Sequence, residues 1–167
     1  VFSIKSMNIA LTYQRRETTT TQVGGLRIGS AYPIRIQTMA NTSTNDIEAS
    51  VAQVLRCEKA GAELFRFTTQ GAREVESLKQ IEDQLHTQGS QIPLVADIHF
   101  RSDVADMAAE VCEKVRINPG NYAPDQSTLH ERFSHLLTVC RQHQTAIRIG
   151  VNHGSLAPRI MEQYGDT

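Results

Sequence analysis

Four short runs of this sequence hold an arginine between two β-branched or aromatic residues: Ile34-Arg35-Ile36, Phe65-Arg66-Phe67, Val115-Arg116-Ile117 and Ile147-Arg148-Ile149. Successive side chains of a strand point to opposite faces, so each run puts apolar groups on one face and a guanidinium on the other. The runs sit inside a wider alternation. β-rich stretches at 33–38, 63–68, 93–98, 114–117 and 145–151 are separated by segments at 46–60, 73–86, 102–113 and 128–143. These segments carry apolar residues at helical spacing, as with Ile47, Val51, Val54 and Leu55 in the first. Thr44 or Asn45 suits the first helix cap, Gly61 stops that helix, Gly89 follows the second, and Pro93 opens the third strand.

Strictly alternating strands and helices predict an α/β fold with an all-parallel sheet, either open or closed. An open doubly wound sheet would be complete at 167 residues, whereas an eight-unit barrel typically needs ~250. The arginines overrule length. A sheet covered by helices on both faces would bury four guanidiniums under apolar side chains, at several kcal/mol for each unpaired ion. A closed barrel instead offers an interior that opens to a pocket at the C-terminal strand ends. The competing reading puts these arginines on a solvated sheet face or in pairs with carboxylates. Ahead of the repeat, residues 22–29 read as a hairpin around Gly24-Gly25, a lid or entry element, after an N-terminal lead at 1–21 that ends in a polar run from Gln14 to Thr21. Arg27 lies in that hairpin, where a solvated face is ordinary, and is left out of the site.

With 17 Lys and Arg against 18 Asp and Glu, the net charge of −1 provides no global field for nucleic acid. Any anion site must be a local cluster. Cys57, Cys112 and Cys140 lie far apart with no CxxC or CxH neighbour, the pattern of reduced, buried thiols rather than metal ligands. The absence of an apolar span or a secretory leader predicts a cytoplasmic protein.

Guanidiniums converging on one pocket make a forked site for phosphate or diphosphate. The third strand, Leu94 to Phe100, replaces the arginine with Asp97 and His99 on one face, a pair suited to orienting a substrate hydroxyl or moving a proton. The loops Asn118-Pro119-Gly120-Asn121 and Asn152-His153-Gly154-Ser155 add amide and hydroxyl groups after inward arginines, although such loops also occur simply as turns.

Taken in order, PIRIQTMANT, FRFT, LVADIHF, VRINPGN and IRIGVNHGSL resemble the N-terminal barrel of the 4-hydroxy-3-methylbut-2-enyl diphosphate synthases of the non-mevalonate isoprenoid pathway, over roughly Thr20 to Leu156. The resemblance implies eight-strand closure. Residues 22–167 are then the N-terminal part of a partial (β/α)8 TIM barrel, its first five βα units preceded by the N-terminal β-hairpin. The family reductively converts 2-C-methyl-D-erythritol 2,4-cyclodiphosphate into 4-hydroxy-3-methylbut-2-enyl diphosphate, with a [4Fe-4S] cluster fed by flavodoxin or ferredoxin. Carried over motif by motif, the resemblance implies that Arg66, Arg116, Arg148 and Asn152 contact the diphosphate. Asp97, His99, Asn118 and Ser155 would lie nearby, with Arg35 a weaker member.

In that family the cluster is held by a C-terminal domain with a CxxC pair, a third Cys and a Glu, none of which matches Cys57, Cys112 or Cys140. Three strands, a later barrel lysine and the cluster domain are therefore expected beyond Thr167, and this stretch alone is expected to be inactive. His153 in VNHGS resembles the long variants with an inserted domain. The resemblance also implies a homodimer in which one subunit's cluster domain covers the other's barrel. The alternative is a non-catalytic module that binds a phosphate ligand. A redox-free barrel aldolase or synthase is weaker still, since the strand ends show no lysine to act as nucleophile.

Overall fold

The computed structural model describes residues 15–122, 126–156 and 158–165. Residues 1–14 of the lead and the His153 side chain lie outside it. A two-stranded antiparallel hairpin, β1 (Thr21–Val23) and β2 (Leu26–Ile28), precedes five parallel strands. Gly24, at φ 54°, makes the turn in the left-handed region that glycine favours. The parallel sheet runs in chain order: β3 (Gln37–Met39), β4 (Leu64–Thr69), β5 (Leu94–Ile98), β6 (Lys114–Ile117) and β7 (Ala146–Ile149). The crossovers are α1 (Ile47–Lys59), α2 (Ala72–Thr87), α3 (Ser102–Ala109) and α4 (Gln126–His143). A 3-10 turn (His153–Ser155) and α5 (Pro158–Tyr164) follow β7.

Sequential order without a switch point is the arrangement of a barrel wall rather than of a doubly wound sheet. The outward residues Phe65, Phe67, Ala96, Ile98, Val115 and Ile117 form one core with Val54, Leu78, Ile81, Val104 and Leu136 of the helices. The Phe65 and Phe67 rings, 5.1 Å apart and tilted by 44°, are fully buried and contribute about 1.5–3 kcal/mol each.

Four sequence expectations need correction. The first strand starts at Gln37 rather than Pro33, because the Ile36 N–H donates to the Glu63 carboxylate at 2.9 Å and Ile34 is 80% exposed. Helix α1 is capped by Asp46, whose Oδ1 accepts from the Ala49 N–H at 3.1 Å. Thr44 instead donates to the Thr68 carbonyl, and Asn45 donates to Glu74. Helix α3 ends at Ala109, four residues earlier than the periodicity predicted. The hairpin is not a lid over the entry. Val23, fully buried, packs against Leu64, Val95 and Ala146, which lie at the starts of β4, β5 and β7, so the hairpin plugs the N-terminal end of the sheet.

Candidate anion-binding site at the C-terminal strand ends

Strand register decides which inward side chains meet. Asp97 pairs with Arg116, and Arg116 with Arg148, so these three stand on one level of β5, β6 and β7. Arg66 lies one inward step lower, level with Val95, and its guanidinium reaches up to Asp97. Asp97, only 2% exposed, accepts from Arg66 Nη2 on one oxygen and from Arg116 Nη1 at 3.0 Å on the other. His99 Nε2 lies 3.3 Å from the Arg66-facing oxygen. Burial works against the Asp97 charge. The hydrogen bond and charge of Arg66, with His99 and Arg116, outweigh it and hold the carboxyl below its usual range.

The result is a cleft of about 250 Å³ lined by Arg66, Asp97, His99, Arg116, Arg148 and residues Gly150, Val151 and Asn152. Arg116 lies across Gly150, donating from Nη2 to its carbonyl at 2.9 Å; a Cβ at that position would stand 2.5 Å from Arg116 Nε. Two cations have donors free of protein partners, one buried and one exposed at the cleft. Arg66 Nε is buried without a hydrogen-bond partner, and among the described residues Arg148 makes no hydrogen bond or ion pair. Three guanidiniums against one carboxylate leave two net positive charges in the cleft. That is the donor set and charge a diphosphate requires.

Around the mouth, Asn118 Nδ2 donates to Ser155 Oγ at 2.7 Å, while Asn118 Oδ1 accepts from the Gly120 N–H at 3.1 Å. Asn118 and Ser155 therefore lock the two loops to each other. Any Cβ on Gly120 would overlap the Ser155 carbonyl oxygen. Asn152 is exposed and lines the cleft. Phe100, 65% exposed and held at φ 66°, meets the His99 ring edge-on at 6.0 Å. Arg35 stands apart. It precedes β3, donates to Glu63 Oε1 at 2.7 Å and to the Arg27 carbonyl at 3.2 Å, and sits four residues below Met39, the partner of Arg66. At the rise of a strand that is about 13 Å from the arginine level.

One inward group escaped the sequence reading. Lys114, 8% exposed, lies on the level of Val95 and Ala146 beneath Arg116, and donates to Gln37 Oε1 at 2.9 Å. Burial first, then the charges of Arg148 and Arg66, push its ammonium down to about 8. Period-two alternation from Arg116 places it on this face, but its neighbour Glu113 breaks the apolar-flanked pattern. A larger hollow of about 470 Å³ near the hairpin is lined by Glu82, Glu110 and Glu113 and has no arginine, so it suits an anion poorly.

The residues present do not fit an iron–sulfur cluster. Among the described residues no three His, Cys, Asp or Glu side chains gather at metal-binding range. Cys112 and Cys140 are buried in the helix–sheet core, and burial raises both thiols, Cys140 to about 11, the reverse of what a thiolate ligand needs.

A parallel barrel wall, plugged with apolar side chains at one end and lined with arginines at the other, defines a protein of the TIM-barrel class with a cationic mouth. The chain belongs to the GcpE TIM-barrel domain family, which matches residues 18–167. It is 51% identical to the 4-hydroxy-3-methylbut-2-en-1-yl diphosphate synthase (flavodoxin) of Parabacteroides distasonis and 49% identical to that of Bacteroides thetaiotaomicron, over 93% of this chain in each case. The corresponding protein of Chlamydia muridarum is 45% identical over 92%. The chain spans 28% of the length of each of these relatives. In fold alone it is similar to the phospho-2-dehydro-3-deoxyheptonate aldolase of Thermotoga maritima. That likeness has a TM-score of 0.53 at 16% identity and covers 78% of this chain and 36% of the aldolase.

Proposed function

We propose that residues 22–167 are the substrate-holding barrel portion of an oxidoreductase that converts 2-C-methyl-D-erythritol 2,4-cyclodiphosphate to 4-hydroxy-3-methylbut-2-enyl diphosphate. The names of the relatives support the activity. The observation that carries the substrate is the unsatisfied cation set: Arg66 Nε without a partner, Arg148 without an acceptor, and two net positive charges. A cyclic diphosphate carries two negative charges at neutral pH and matches that excess.

In this reading Arg66, Arg116 and Arg148 grip the diphosphate oxygens, and Asn152 offers its amide from the rim. Asp97 keeps two of the guanidiniums aimed, while His99 faces the substrate hydroxyls. Asn118 and Ser155 hold the loops that frame the mouth, and Arg35 belongs to the opposite end. The redox centre, a [4Fe-4S] cluster reduced by flavodoxin, would be held by parts of the protein outside this chain. The homodimer implied by the resemblance, and the cytoplasmic location expected from the absence of an apolar span and a secretory leader, belong to the same proposal.

Arg116→Ala in the full-length protein should lower kcat/KM for the cyclodiphosphate by about 30-fold or more, the loss of a charge-assisted hydrogen-bond set. Unchanged turnover would sink the assignment. Iron analysis of the purified full-length protein separates the enzyme from a non-catalytic phosphate-binding module, which would hold none.

A further inference from the structure

We infer that Lys114 is a fourth cation of the anion site, which holds its proton when an open-chain diphosphate occupies the arginine level above it. The inference rests on the diphosphate reading and extends it to the charge that appears when the ring opens.

The placement is geometric. Lys114 and Arg66 share one level of the interior on either side of Val95, and Arg116 and Arg148 stand one inward step above. Among the described residues, the polar and charged groups acting on the ammonium are few. Gln37 on β3 accepts its hydrogen bond, Arg66 on β4 and Arg148 on β7 repel it, and Ala146, its register partner on β7, is apolar. Asp97 on β5 is the carboxylate of this face, and both of its oxygens are already held by Arg66 and Arg116. A buried lysine with like charges for neighbours and an amide for its partner is a cation waiting for an anion. Its lowering to about 8 is the corresponding symptom.

Charge matching specifies which anion. The three arginines less Asp97 balance the two charges of a cyclic diphosphate. Ring opening turns one phosphodiester into a terminal phosphate that carries a further negative charge near pH 7. Lys114, buried one step below and already largely protonated near pH 7, supplies the countercharge; near pH 8, where it is about half charged, the open diphosphate draws the remaining proton from solvent onto Nζ. Lys114 thereby favours the open diphosphate over the cyclic one. An added negative charge at about 7 Å should return the ammonium toward its ordinary value by roughly 1–2 pH units.

The test is calorimetric titration of inorganic pyrophosphate into the full-length protein at pH 8, in buffers of different ionisation enthalpy, for wild type, Lys114→Met and Lys114→Arg. Wild type should take up about half a proton more than Lys114→Met at pH 8, a difference falling below about a tenth of a proton at pH 6.5. Lys114→Met should bind about tenfold more weakly at pH 6.5, where the wild-type lysine is charged. Lys114→Arg should restore affinity without restoring the extra proton, and it carries the test alone if Lys114→Met does not fold. Equal proton counts in wild type and the variants, with pyrophosphate bound, would overturn the role of Lys114. If pyrophosphate fails to bind wild type, or binds Arg116→Ala equally well, the diphosphate reading itself fails and takes this inference with it.

Discussion

The two ends of the sheet's inward face are built from the same strands, yet they are chemical opposites. At the N-terminal end Leu64, Val95 and Ala146 close around Val23 of the hairpin, and water is excluded. Two residues further along the same strands, Arg66, Asp97 and Arg148, with Arg116 of β6 between the last two, line an open cleft. Parallel pairing makes this possible, because all C-terminal strand ends lie on one side and a change of residue type at one height becomes a change of layer. The apolar layer allows the charged one: with the lower end sealed, the guanidiniums are left to each other, to Asp97 and to whatever enters from above.

The sharpest way to break this contrast is Asp97→Ala, which leaves Arg66 and Arg116 unpaired beside Arg148. Loss of about 3–5 kcal/mol is expected from denaturant unfolding of the full-length protein, partly restored by added pyrophosphate. Next is Leu64→Ala, which opens a cavity in the plug. About 2–4 kcal/mol should go, while pyrophosphate affinity of the folded protein stays the same. If affinity falls as well, the two layers are not separable.

Lys114 sits on the seam between them and provides the pH test. Its native pKa is lowered to about 8, so between that value and its unfolded value near 10.4 the unfolded chain binds more protons. Stability should therefore rise with pH across that window, by an amount on the order of 2–3 kcal/mol relative to Lys114→Met. The smallest effect belongs to Arg35→Ala: its Glu63 pair is at the sealed end, and pyrophosphate affinity should change by less than about twofold.

These residues also mark what the sequence could reveal. Alternation along a strand gives the face of a side chain, and on that basis Arg66, Arg116 and Arg148 were readable as one set, as was the succession of strands and helices. Alternation does not give height, which depends on pairing register. Arg35 has the right face at the wrong level, and Lys114 has the right face one level down. The end closed by the hairpin was hidden for a related reason, since Val23 finds its partners only once β4, β5 and β7 are side by side. The pairing of Asn118 with Ser155 joins residues 37 positions apart through a bare Gly120, a contact no local pattern encodes.

That last contact has an entropic consequence. With the Gly120 backbone seated against Ser155 and the Asn118 amide bonded to its hydroxyl, the loops after β6 and β7 form one body rather than two. Fixing an independent loop costs on the order of 1–2 kcal/mol per residue of backbone freedom. Because these loops already restrain each other, a ligand that settles against Asn152 finds half of the mouth arranged before it arrives, and less of its binding energy is lost to ordering the protein.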